Sequence, residues 1–173
     1  MEGTPRQLDG EMSRRLWSMG VWQATLVVMT CMLLALAALL ALLSARATRP
    51  ANLGINNGRL APCPDTPNCA CSQASDDAHR IEPLRYKGNA VEAMARLRAV
   101  LEAWPRTRVL TATDDYLHAE CASLVFRFVD DVEFLLDRGA GVIHCRSASR
   151  AGRSDLGVNR RRLEAIREAL DGS

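Results

Sequence analysis

The hydrophobic positions of this chain follow two different patterns. Residues 21–43 form an unbroken apolar run without a charged side chain, whereas beyond residue 80 apolar residues recur regularly between polar ones. A helix of about 20 apolar residues spans the hydrocarbon core of a bilayer, so the first pattern predicts a transmembrane helix over 21–43. A buried core helix is one alternative. A cleaved signal is another, because Ala45-Arg46-Ala47 resembles a cleavage site, although signal peptides have shorter apolar runs of about 7–15 residues.

The second pattern predicts two helices. Apolar residues recur at helical spacing before Pro105 and again near the C-terminus. The positions are Val91, Met94, Leu97, Leu101 and Trp104 in the first helix, and Leu163, Ile166 and Leu170 in the second. Pro105 ends the first helix, because proline lacks the backbone N–H that a helix interior requires.

Alternating apolar residues predict strands between these helices. The predicted ranges are 107–113, 116–121, 124–136 and 141–147, with a further short strand within 80–86. Strands joined by hairpins, with a helix before and after them, indicate an α+β fold in which an antiparallel sheet of about four to five strands carries helices on one face.

The two patterns also divide the chain into segments. We predict an N-terminal tail over 1–20, the transmembrane helix over 21–43, a linker over 44–60 and a globular α+β domain over 61–173. The linker is predicted because its stretch is rich in Arg, Asn, Gly and Pro and has no apolar periodicity.

Charge changes the picture only locally. The formal net charge of +2 gives no reason to expect a nucleic acid as partner. Residues 114–137 hold seven acidic side chains and one basic one, whereas residues 146–167 hold seven arginines and two acidic side chains. Adjacent blocks of opposite sign are expected to neutralise each other within the domain.

Cysteines near the start of the domain predict a disulfide. Cys63 and Cys69 are close in a proline-rich stretch, and an oxidising compartment would favour a small closed loop. A metal site with Cys71 as a third thiolate is the alternative, but no fourth ligand stands at a standard spacing. No metal or other cofactor is therefore expected. Cys121 and Cys145 fall in predicted strands, where each is expected to be a buried apolar residue.

The arginine-rich stretch 146–162 is the main candidate for ligand binding. Arginine offers a forked, permanently charged donor group to anions. Three arginines, 160–162, begin the predicted last helix, where the helix dipole favours an anion over a cation. That anion is either internal, with Asp130 or Asp131 as donor, or a phosphate or carboxylate ligand. The predicted ligand-binding residues are Arg146, Arg150, Arg153, Asn159 and Arg160.

Catalytic candidates are fewer. His118 and Glu120 alternate with Tyr116 on one face of a predicted strand, where they could supply a base, an acid and an orienting group. Asp130 and Asp131 are adjacent on a strand, so their carboxylates point to opposite faces unless a bulge intervenes. The simpler interpretation is that one Asp faces water and the other pairs with Arg146 or Arg150.

Three motifs in order resemble an uncharacterised family, domain of unknown function 1499. The motifs are residues 62–69 (PCPDTPNC), 128–134 (FVDDVEF) and 146–164 (RSASRAGRSDLGVNRRRLE). The resemblance covers about residues 60–170 and implies bacterial or plastid membership, often with a signal or membrane anchor, and no established activity. Cys71 departs from the pattern, which has serine there, and this weakens the metal alternative.

These observations predict a membrane-anchored accessory or binding domain rather than an enzyme. The bilayer contacts residues 21–43, and a further partner would be an anionic small molecule or a membrane protein. An uncharacterised enzyme with a His/Asp/Glu and Arg cleft, and a structural cell-envelope protein, are the alternatives. A single anchor behind a short tail predicts a domain outside the cytoplasm, and the family resemblance implies that the membrane is a bacterial inner membrane. Three arginines lie on each side of the span, Arg6, Arg14 and Arg15 before it and Arg46, Arg49 and Arg59 after it, so their count gives no orientation.

Overall fold

The computed structural model describes residues 6–125 and 127–172. Of residues 6–19 and 43–46 it describes the backbone alone. Residues 1–5 of the predicted tail therefore lie outside the described residues. The elements in chain order are α1 Arg6–Arg46, β1 Cys69–Cys71, β2 Leu84–Arg85, α2 Ala90–Ala103, β3 Thr107–Ala112, β4 Tyr116–Ala122, β5 Val129–Asp137, β6 Val142–Ser149 and α3 Val158–Asp171.

Helix α1 contains one segment that is long and apolar enough to cross a membrane. That segment is Gly20–Leu42, with 23 residues and a mean hydropathy of 2.6. Its apolar side chains are exposed, as at Trp22 and Leu26, which excludes the alternative of a helix buried in the core. The chain divides into two compact units after Leu42, and the second unit carries all the remaining elements.

The sheet confirms the predicted α+β class. Within the described residues it has six strands, with the order β1-β6-β5-β4-β3 and with β2 also paired to β6. All of these pairs are antiparallel. The strand number exceeds the expected four to five because β1 is only three residues long and directly follows the proline-rich stretch, where no alternation marks it.

The third long strand begins later than the alternation of apolar residues predicts. It was expected over 124–136, but β5 starts at Val129. Leu124 and Val125 are exposed in the turn between β4 and β5, which is closed by a hydrogen bond from Ser123 N to Phe128 O of 2.8 Å. Phe126, counted in the predicted strand, lies outside the described residues.

Helices α2 and α3 cover one face of the sheet, as predicted. Asn89 caps α2 with its side chain, which accepts a hydrogen bond of 2.8 Å from Val91 N. The apolar faces of both helices enter a single core with the strands, and Leu97 and Ile166 meet Phe134 there with no exposed surface. Complete burial of such side chains is worth roughly 1.5–3 kcal/mol each, so this core supplies much of the stability of the domain.

The opposite face of the sheet is crossed by residues 49–60, which we call the strap. Arg49 donates to Glu120 on β4, and Gly54 N donates to Glu133 on β5. Leu60 completes the contact by packing with Tyr116 and Leu135 in a small apolar cluster. Residues 44–60 are predicted as a linker because they show no apolar periodicity. The contacts of the strap, which are hydrogen bonds and a single leucine, produce no such periodicity. Most of that stretch is nevertheless held against the sheet.

Candidate functional site

A layer of polar and charged side chains lies between the sheet and the strap. Strand alternation places every second residue of β4, β5 and β6 on this face, and the antiparallel register places Glu133 opposite Arg146. We call this set the polar layer. It comprises Tyr116, His118, Glu120, Asp131, Glu133, Arg146 and Arg150.

Asp131 takes part in three hydrogen bonds in the polar layer, two with Arg150 and one with His118. It is 1% exposed and accepts a forked pair of hydrogen bonds from Arg150, of 2.8 Å from Nε and 2.7 Å from Nη2. His118 Nε2 lies 2.8 Å from its Oδ1 atom. Burial by itself would raise the pKa of Asp131, but the hydrogen bonds from Arg150 and His118 outweigh it and lower the pKa. Asp131 is therefore held as a carboxylate.

Glu133 is the centre of a second buried cluster. It has no exposed surface and accepts hydrogen bonds from Tyr116 Oη at 2.7 Å, Gly54 N at 2.8 Å and Arg146 Nη1 at 2.9 Å. Burial, followed by the charge of Glu133, raises the pKa of Tyr116, so the phenol stays protonated and keeps donating. Three donors around one carboxylate compensate for its removal from water.

Glu120 connects the polar layer to the surface. Its Oε1 atom accepts from Arg49 at 2.8 Å and from Arg150 at 2.5 Å, and its Oε2 atom accepts from Arg108 at 3.2 Å. Burial opposes ionisation here, but the hydrogen bonds from Arg49 and Arg150 lower the pKa of Glu120 to about 2. Glu120 is thus an anchoring carboxylate and a poor proton donor or acceptor at neutral pH.

The pKa of Glu120 predicts acid lability. A carboxyl group whose folded pKa is depressed contributes its full stabilisation above its unfolded pKa and loses it as pH falls towards the folded value. For Glu120 this window runs from 4.5 down to about 2. We expect the Tm of the full chain in neutral detergent to fall across this window, and Glu120→Gln to reduce the fall because glutamine does not titrate. An equal difference between the two proteins at pH 7 and pH 2 would contradict this assignment.

A separate network occupies the helix side of the sheet. Asp130 accepts from Arg162 Nη2 at 2.5 Å, and Arg162 Nη1 donates to Ser147 Oγ and Asn159 Oδ1 at 2.9 and 2.7 Å. Asn159 is 1% exposed and donates to Asn68 O at 2.9 Å. The network ties the start of α3 to β5, β6 and the segment that precedes β1.

An internal carboxylate occupies the N-terminus of α3. Asp155 accepts hydrogen bonds from Gly157 N at 3.0 Å and Asn159 N at 2.7 Å, so it satisfies donors that a helix start leaves free. Arg160 extends away from this end and donates to the carbonyl oxygens of Arg80 and Ala78 at 2.6 and 2.9 Å. We predicted Asp130 or Asp131 as the internal anion at the start of this helix. Asp155 is the residue that accepts hydrogen bonds from the helix N–H groups.

The structure gives internal partners to four of the five predicted ligand-binding residues. Arg146 and Arg150 are buried against carboxylates, Asn159 is buried in the first turn of α3, and Arg160 binds backbone carbonyls. Arg153 differs, because it is exposed in the loop between β6 and α3. These five residues therefore do not converge on one open site.

The catalytic candidates divide in the same way. In the polar layer Arg150 joins Glu120 to Asp131, and His118 is bonded to Asp131. Asp130 points to the helix side, as strand alternation predicts. Asp130 was expected to face water if Asp131 paired with an arginine, but its side chain is only 11% exposed and pairs with Arg162. His118 is 4% exposed, so the strap side offers no open cleft at this imidazole.

Two of the cysteines in the proline-rich stretch are bonded to each other. Cys63 and Cys69 form a disulfide, so Cys71 is the one thiol of the predicted three-thiolate alternative that remains. Burial raises the pKa of Cys71, which disfavours the thiolate that a metal would need. Cys121 and Cys145 are buried, as predicted.

A cavity lined by arginines opens beside Glu120, where β4 ends and β5 begins. It encloses about 450 Å³ and is lined by Arg106, Arg108, Arg127 and Glu120 among others. Arg106 and Arg127 both have a φ of 57°, a left-handed conformation that bulky residues rarely adopt and that is concentrated at functional sites. No motif or spacing indicates this cavity, since its arginines come from separate loop and strand positions.

Comparison with known proteins identifies a family and no activity. No curated protein matches the chain. Residues 59–170, more than half of the chain, match the family described as "Protein of unknown function (DUF1499)". This range contains the sheet, α2, all but the last residue of α3, the polar layer and the arginine-lined cavity. The chain therefore belongs to the DUF1499 family.

Proposed function

We propose that this protein is a membrane-anchored binding domain that recognises an anionic group in the cavity formed by Arg106, Arg108 and Arg127. The observation that carries the proposal is the charge of this cavity. Three arginines line it together with one acidic residue, Glu120, and the Glu120 carboxylate is already bonded by Arg49 and Arg150. The cavity thus retains an excess of positive charge.

The three arginines of the cavity are suitably placed to receive a ligand. Arg106 donates from Nε to Ala122 O at 3.2 Å, which orients the group and leaves its two Nη atoms for an anion. Arg108 makes one bond of 3.2 Å to Glu120. Arg127 is exposed and makes no hydrogen bond or ion pair within residues 6–125 and 127–172. Charge-assisted and forked contacts to phosphate or carboxylate oxygens are the chemistry that such a group of arginines provides.

The predicted site on loop 146–162 is less well supported. Its buried arginines already neutralise Asp131 and Glu133, so a ligand would have to compete with internal carboxylates for them. Binding is also better supported than catalysis, because Glu120 is held ionised and His118 is covered. We therefore place the anion in the cavity and not on the loop.

We propose further that the anchor lies in a bacterial inner membrane with the domain outside the cytoplasm. The family resemblance supports the first part, and the Cys63–Cys69 disulfide supports an oxidising compartment for the domain. Labelling the full chain in intact cells with a membrane-impermeant reagent at an introduced Ser75→Cys would test the orientation. Labelling only after the cells are opened would overturn it.

Calorimetric titration of the full chain in neutral detergent with inorganic pyrophosphate tests the anion site. We expect saturable binding that weakens with salt. The variant Arg108→Gln/Arg127→Gln should weaken it by about 100-fold, since a hydrogen bond to a charged group is worth roughly 1.5–3 kcal/mol.

The matched control is Arg138→Gln. Arg138 is exposed in the turn between β5 and β6, at the other end of the sheet, and its loss removes one positive charge without touching the cavity. We expect it to leave the affinity almost unchanged. An equal loss of affinity in both variants would indicate nonspecific attraction, and the absence of saturable binding in the unaltered chain would exclude the cavity as an anion site.

A further inference from the structure

The candidate span is close in sequence to a residue that is bonded at the cavity. The candidate span ends at Leu42, and Arg49 is bonded to Glu120, which lines the cavity. Only seven residues, 43–49, separate these two points in the sequence.

Exposed apolar side chains surround the same end of the sheet. Outside α1, Leu124, Val125 and Leu156 are the most exposed large apolar side chains among the described residues, at 72%, 72% and 84%. Leu124 and Val125 lie in the turn between β4 and β5, and Leu156 lies in the loop that follows β6. Arg150 N donates to Val129 O at 3.1 Å, so both loops leave the sheet at the same end.

Arginines accompany these apolar loop tips. Arg127 follows the β4–β5 turn in sequence, Arg153 lies in the same loop as Leu156, and Arg106 and Arg108 line the cavity between β3 and β4. Apolar tips bordered by long cationic side chains are the composition of surfaces that bind at the bilayer interface. The polar zone of each leaflet is about 5–7 Å thick, so shallow insertion of a loop tip places a neighbouring guanidinium at the level of lipid phosphates.

We propose that this end of the domain docks on the bilayer that holds its own anchor, with the phosphate of an anionic lipid headgroup in the arginine cavity. The proposal rests on the proposed function and names its ligand. Leu124, Val125 and Leu156 enter the interface, Arg106, Arg108 and Arg127 bind the phosphate, and the strap holds the cavity near the membrane through the Arg49–Glu120 pair. The short tether raises the effective concentration of the surface, so each individual contact is allowed to be weak.

The test is methyl NMR of the full chain in nanodiscs that carry a nitroxide at the lipid headgroup. We expect strong broadening of the methyl signals of Leu124, Val125 and Leu156 in discs containing anionic lipid. The methyl signal of Ala140, in the β5–β6 turn at the other end of the sheet, should remain sharp. An arginine near an anionic surface contributes about fivefold to the docked population, so Arg108→Gln/Arg127→Gln should lower that population by about 25-fold. Arg138→Gln should not change it.

Three results would overturn the proposal. Equal broadening of Leu156 and Ala140 would mean that the domain has no preferred face towards the bilayer. Sharp methyl signals from Leu124, Val125 and Leu156, in a chain that still binds pyrophosphate, would exclude docking on the bilayer. The proposed anion site would then still stand. Broadening that is unaffected by Arg108→Gln/Arg127→Gln would remove the headgroup assignment, and pyrophosphate titration would then decide separately whether the cavity binds any anion.

Discussion

Glu133→Gln is expected to lower the free energy of unfolding of the domain by about 3–5 kcal/mol, because it leaves a buried charge without its partner. Arg146 is 4% exposed and donates to Glu133, and its Nε atom is buried without a hydrogen-bond partner among the described residues. Glutamine keeps the shape of the side chain and an oxygen for Tyr116 and Gly54. It does not keep the negative charge that offsets the guanidinium.

Hydrogen exchange of the β5 and β6 amides in the full chain would measure this loss. The control is Glu133→Gln/Arg146→Met, which removes both charges. A buried ion pair is often replaced by apolar groups at little cost, whereas removing one partner is costly. We therefore expect the double variant to be more stable than Glu133→Gln. If Arg146→Met added to the loss instead, the pair would contribute net stability and the role assigned to the lone charge would be wrong.

The parts of this fold that were predictable are those that local spacing determines. Each of these patterns shows which side of a segment is apolar, whatever the rest of the chain does. They are the apolar run before residue 43, the helical spacing of Leu97 and Leu101, and the alternation in β4 and β6. Alternation also placed Asp130 and Asp131 on opposite faces, and the structure keeps them there. The alternation of apolar residues over 124–136 placed the start of this strand too early. Leu124 continues the alternation but is exposed in the β4–β5 turn.

The parts that were not predictable depend on register and on single loop residues. Glu133 stands alone in an apolar run, which signals a buried charge, but its partner Arg146 is fixed only when β5 and β6 pair residue by residue. Asp155 accepts hydrogen bonds from the first N–H groups of α3 only because of the conformation of the loop before that helix. Arg127 enters the cavity from a turn whose conformation no periodicity encodes. Pairings of this kind are set by the whole sheet. Sequence spacing therefore identified the charged blocks and the pairing of one Asp with Arg146 or Arg150, which Asp131 and Arg150 confirm, but not the partner of Glu133.

Asp131→Asn and Asp130→Asn are adjacent, chemically identical changes that should differ in their cost. Asp131 is 1% exposed and accepts the forked pair of hydrogen bonds from Arg150 and a third from His118. Its neutralisation weakens three hydrogen bonds to one buried carboxylate and should cost about 3–5 kcal/mol. Asp130 pairs with Arg162 alone among the arginines. Asn159 and Ser147 still accept from that guanidinium after the change, so we expect a loss of about 1–3 kcal/mol. Urea unfolding of both variants, followed by exchange of the β5 amides, would measure the difference. Equal losses would mean that the two faces of the sheet hold their carboxylates in equivalent surroundings, contrary to the contacts described for the polar layer.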